Sequence, residues 1–130
     1  MTYVFKPLTL EEVLKLDDQQ IMEHATKHLL GQNELCTAQS WSVTLCALRA
    51  ERDGRQLACA VGAFVPDELI ERGDVDVTWG IYSLHEECKN KEFTAWIGAH
   101  FSILDKLQSI HDFYPTSRWQ QKLDALSEQL

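Results

Sequence analysis

No two cysteines stand in a C-x-x-C spacing. The four lie at 36, 46, 59 and 88, so neither a zinc ribbon nor a thioredoxin-type motif is written in the chain. No apolar run approaches the roughly 18–20 residues that a membrane span needs. Met1 to Pro7 lacks the basic-then-apolar pattern of a secretion signal. Together these absences set the expectation of a cytoplasmic protein whose cysteines stay reduced and pack as small apolar side chains. The phosphate-cradling G-x-x-x-x-G-K-[ST], the dinucleotide G-x-G-x-x-G and the nucleophile elbow G-x-S-x-G are all missing. Basic residues are scarce, with 12 Lys and Arg against 20 Asp and Glu, a net charge of −8. That balance argues against direct binding of nucleic acid through its phosphates and against anionic membrane surfaces. It suits a partner with a basic surface. No catalytic residue, metal ligand set or cofactor is assigned.

The 130 residues are close to the size at which one domain buries its own core without staples. Thr9-Leu10-Glu11-Glu12 reads as a capping box opening a helix over 9–16. Asp17-Asp18 can cap a second helix over 18–30 with Ile21, Met22, Ala25 and Leu29 on one face and Gly31 as its stop. Gln32 to Gln39 reads as loop. Alternation predicts strands over 41–49 and 56–65, joined by an Asp53-Gly54 turn. Gly62 implies a bulge or a close backbone approach. Pro66 to Gly73 reads as one or two helical turns, and Val75, Val77, Trp79 and Ile81 alternate as an optional third strand over 75–81. His85 to Glu92 reads as loop or frayed helix. Three- and four-residue apolar steps predict a helix over 93–111 and another over 116–129. The expected architecture is α+β: a small antiparallel hairpin or three-stranded sheet packed against several helices.

His24 and His28 stand four apart on a helix, within reach of one metal ion, yet the H-E-x-x-H pattern is absent and two solvated surface histidines are the simpler reading. Cys46, Cys59 and His111-Asp112 form a second constellation. A thiol beside an imidazole is the geometry of a zinc site or a cysteine nucleophile, if facing strands bring Cys46 and Cys59 together. The alternative is two core fillers and a His111 bonded to backbone. Arg49 can pair with Asp53 or Asp67 and pin the turn. Phe93, Trp96 and Phe101 fall at core spacing. The acidic residues to probe as a partner-binding face are Glu68, Glu71, Asp74 and Asp76, then Glu86, Glu87 and Glu92.

Two blocks resemble a group of small bacteriophage and prophage proteins. Cys46-Ala47-Leu48-Arg49, Asp53-Gly54 and Cys59-Ala60-Val61-Gly62-Ala63-Phe64-Val65-Pro66-Asp67-Glu68 are similar to that group's C-x-Y-R, D-G turn and C-A-I-G-x-L-I-P-D-E. Leu107-Gln108-Ser109-Ile110-His111-Asp112, followed by Trp119, is similar to its L-Q-x-x-H-D and tryptophan-bearing last helix. Leu48 departs from the group's usual aromatic. The resemblance implies a source class and carries no reaction with it. By analogy with phage anti-defence proteins, including anti-CRISPR-like inhibitors, it implies a protein that acts in the host cytoplasm by binding a host complex and blocking a site. The competing expectation is a small metal- or thiol-dependent enzyme using Cys46, Cys59 and His111.

Overall fold

In a computed structural model, which describes residues 3–40 and 43–130, the chain is an α+β fold. Helix α1 (Leu10–Leu14) opens on the Thr9–Glu12 capping box, and α2 (Asp18–Gln32) on an equivalent box between Asp17 and Gln20. Strands β1 (Thr37–Ser40) and β2 (Val43–Cys46) form one antiparallel pair, with Thr37 opposite Cys46. Strands β3 (Arg49–Arg52) and β4 (Arg55–Ala58) form a second, with Arg49 opposite Ala58. Then come α3 (Asp67–Glu71), α4 (Ile81–Glu87), α5 (Lys91–Ala99), α6 (Phe101–Phe113) and α7 (Trp119–Ser127). The core lies where α2, α6 and α7 pack on one another and is filled by Ile21, Leu29, Phe64, Leu104, Leu107 and Trp119. No helix among the described residues is long and apolar enough to cross a membrane.

Several sequence expectations need correction. The Asp53-Gly54 turn stands, with φ of 53° and 76° at its two central residues, the positive pair that a two-residue hairpin requires. Its strands are shorter than 41–49 and 56–65. Trp41 and Ser42 lie outside the described residues, and β2 pairs with β1, a segment expected to be loop. After Ala58 the chain does not stay extended: Ala63 N–H reaches Cys59 O and Phe64 N–H reaches Val61 O, coiling into a 3-10 turn over Gly62–Phe64. Residues 57–66 are buried without alternation, and such an apolar run does not tell strand from helix. Gly62 is the close approach that was expected: a Cβ there would sit 2.1 Å from Leu48 O.

Segment 75–81 is not a third strand. Asp76 takes both the N–H and the hydroxyl of Thr78 (2.9 and 2.7 Å) and curls the chain, leaving one bond to the hairpin, Leu48 N–H to Val77 O at 2.7 Å. The polar stretch beyond it begins as α4. The helix expected over 93–111 is two, broken at His100 (φ −116°, ψ 19°). There the imidazole turns to Asp18 (2.6 Å) and packs on Trp96. Inward residues continue on both sides of the break, so periodicity alone hides it. Helix α2 ends at Asn33 in the left-handed conformation rather than at Gly31, which lies against the Tyr3 ring.

Candidate partner-binding surface

The motif residues converge on one irregular, buried stretch of backbone, 58–67. Cys59 N–H points to Leu48 O, so strand alternation turns the polar groups of Ala58 away from β3. Helix α2 meets them: Gln32 Oε1 accepts Ala58 N–H (3.0 Å), while Gln32 Nε2 and His28 Nε2 donate to Ala58 O (2.9 and 2.8 Å). Gln108 of α6 accepts Val61 N–H at 3.0 Å. Cys59 Sγ accepts Gly62 N–H at 3.2 Å. Arg49 donates to Gly62 O, Val65 O and Asp67, with Phe5 under its guanidinium. It therefore pins the 62–67 segment, and its carboxylate partner is Asp67 rather than the turn residue Asp53. A buried polar group left unmet costs about 1–3 kcal/mol, and these side chains meet the groups that no strand or helix ladder reaches.

The thiol–imidazole constellation is not assembled on facing strands. Cys46 ends β2 opposite Thr37, with its side chain outside the described residues, while Cys59 follows β4. His111 receives Cys36 N–H on Nε2 (3.0 Å), donates from Nδ1 to Asp112 (2.8 Å) and stacks on Trp119. Its Nε2 thus ties the residue before β1 to α6, while its Nδ1 is engaged within that helix. Among the described residues no group of three or more His, Cys, Asp or Glu converges as metal ligands would. His24 and His28 are not a solvated pair. His28 is buried and lies between Ala58 O and Tyr3 OH, 2.7 Å from its Nδ1. Burial pushes its pKa down to about 4, against a smaller opposing effect of the Ala58 bond. His24 is half-buried against Phe64, its Nε2 without a partner among the described residues, and burial lowers its pKa as well. The 3.6-residue period places both positions beside the inward row of α2.

The acidic candidates sort differently. Glu68 caps α1 by accepting Leu10 N–H (2.9 Å) and faces Arg72 at 3.4 Å. Asp76 serves its own turn, and the Thr78 bonds lower its pKa. Glu71, Glu86, Glu87 and Glu92 are exposed, with no ion-pair partner among the described residues. Burial holds the Cys88 thiol above its ordinary value and the charge of Asp74 adds to this. Residues 67–92 hold eight acidic and three basic side chains, one fifth of the chain carrying −5 of its −8. Lys89 and Lys91 interrupt the second run. From outside the segment Arg49 neutralises Asp67, while Arg52 and Arg55 both hold Glu34 at 2.7 Å.

Sequence reasoning missed a cleft of about 270 Å³ beside this face. Leu48, Cys59 and Val61 floor it, Trp79 and Tyr82 form one wall, and Asp105, Ser109 and Phe113 of α6 form the other. Tyr82 is 64% exposed and Phe113 77%. A tyrosine between the 75–81 alternation and the polar 85–92 stretch and a phenylalanine before Tyr114-Pro115 carry no periodic signal, so only the folded arrangement shows them on one groove. Phe93 and Trp96, by contrast, are core, as their spacing implied. Compared with protein-family models, with curated proteins and with solved structures, the chain shows no match.

Proposed function

We propose that the chain is a non-catalytic binding protein of the phage anti-defence type, which presents the acidic 67–92 face to a basic surface on a host nucleic-acid-handling or defence complex and blocks it. The observation that carries this reading is the concentration of −5 within residues 67–92, with Glu71, Glu86, Glu87 and Glu92 exposed while the nearby Arg72 is paired to Glu68. A negative field of this kind steers a positive partner and competes with phosphates for the same groove. The alternative, chemistry at Cys59 and His111, draws no support from side chains already engaged with Gly62 N–H and with Cys36 and Asp112.

The test is capture of host complexes on the immobilised chain across a salt series, beside a variant carrying Glu71→Gln, Glu86→Gln, Glu87→Gln and Glu92→Gln. The expected partner is basic, is held tenfold or more less tightly once salt reaches about 0.3 M, where the screening length falls well below its low-salt value, is lost on the neutralised variant, and releases bound nucleic acid to the wild-type chain. A partner retained equally by the neutralised variant and at all salt concentrations overturns the proposal.

A further inference from the structure

Resting on that reading, we infer that the cleft between the 79–82 segment and α6 takes an extended, arginine-bearing segment of the partner protein. Its polar lining is acidic or neutral: Asp105, Gln108, Ser109 and Asp112 contribute to it, and no lysine or arginine does. Asp112 is already bonded to Gln108 (2.8 Å) and His111. Asp105, half-buried on the same wall, has a carboxylate with no hydrogen bond or ion pair among the described residues. It is the acceptor left for an incoming cation.

Aromatic faces supply the second requirement. Tyr82 rests on Phe101 at 5.3 Å, which fixes its ring near the start of α6, while Phe113 stands at the helix's other end. Both are largely exposed and contribute to the groove lining. A flat guanidinium stacks on such rings and reaches a carboxylate at the same time, which a compact ammonium does less well.

Size separates a peptide from a cofactor. The volume of 270 Å³ falls just below the roughly 300–1,000 Å³ of pockets that enclose a drug-sized ligand. From Asp105 to Phe113 the groove follows α6 for about 12 Å at 1.5 Å per residue, which matches about three to four residues of extended chain. A basic protein segment therefore fits where a nucleotide, repelled by Asp105 and Asp112, does not.

The experiment titrates the isotope-labelled chain at about 0.15 M salt, where the screening length is about 8 Å, with acetyl-Arg-Gly-Arg-amide, with acetyl-Glu-Gly-Glu-amide as control, following amide signals and the Trp79 indole by NMR. Saturable shifts are expected at Trp79, Tyr82, Asp105, Ser109 and Phe113 with the basic peptide alone. Tyr82→Ala and Asp105→Asn, both outside the buried lattice, should each weaken binding about threefold to thirtyfold. Glu86→Gln with Glu87→Gln should leave it within about twofold, because exposed charges beyond the groove are screened. Shifts confined to Glu71, Glu86, Glu87 and Glu92, or none that saturate, overturn the cleft. A host complex captured equally by wild type, Tyr82→Ala and Asp105→Asn overturns the cleft and leaves the acidic face standing. Saturable cleft shifts from a chain that captures no basic host partner support the cleft and overturn the broader function.

Discussion

His28 is 1% exposed between Ala58 O and Tyr3 OH, so a proton added to its ring turns a satisfied acceptor into a second donor facing a hydroxyl. The folded chain resists that proton down to about pH 4, whereas an unfolded histidine takes it near 6.5. The folded pKa is the lower one. Its contribution is therefore complete above pH 6.5 and is lost as the pH falls toward 4, and the loss is on the order of 3 kcal/mol. His24, also lowered by burial, acts in the same direction. Urea unfolding at pH 7.0, 6.0 and 5.0 should show stability falling across this window. His28→Gln should be less stable at pH 7 but have a shallower slope; equal slopes would contradict the assignment. The 3.6-residue rhythm of α2 placed Ile21, Met22, Ala25 and Leu29 inward but named no partner for His28 or Gln32, because that partner, Ala58, is thirty and twenty-six residues away.

Local chemistry made some elements legible. Capping boxes at Thr9 and Asp17 and the positive-φ Asp53-Gly54 turn are set by neighbours within three residues, and each is where the sequence places it. Elements whose ends depend on distant partners were not legible. Segment 59–65 has the composition of a buried strand, yet it coils because Arg49, Gln108 and Cys59 satisfy its backbone in that shape. Gly62 tests this at the scale of the element. A methyl group at 62 meets the Leu48 carbonyl at 2.1 Å, and backbone cannot yield as a flexible side chain does. Gly62→Ala should cost more than about 3 kcal/mol, the upper end of ordinary overpacking, measured by thermal melting. Gly54→Ala, with open space around it, should cost only the strain of its φ of 76°, about 1–2 kcal/mol. Similar losses from both would mean that the Leu48 contact does not constrain the fold.

At the scale of the whole molecule, α+β class and an acidic balance follow from composition and period, while the cleft required Tyr82 and Phe113 to be brought from α4 and α6 to one groove. Of the residues that looked most like chemistry in the sequence, Cys46, Cys59 and His111, the last two turned out to support backbone, as does Arg49, which was expected to pin the turn. Side chains of α2 and α6 hold the N–H groups of Ala58, Cys36 and Val61 across separations of 26, 75 and 47 residues. In deuterated buffer these three protons can be released only when distant parts of the chain separate, although they lie in or beside short and irregular segments. Their exchange should be as slow as the slowest in α2 and α6, tracking global opening, whereas the hairpin tip at Asp53 and Gly54 exchanges within the dead time. The slow-exchange map of this protein should therefore follow its glutamine and histidine side chains more closely than its secondary structure.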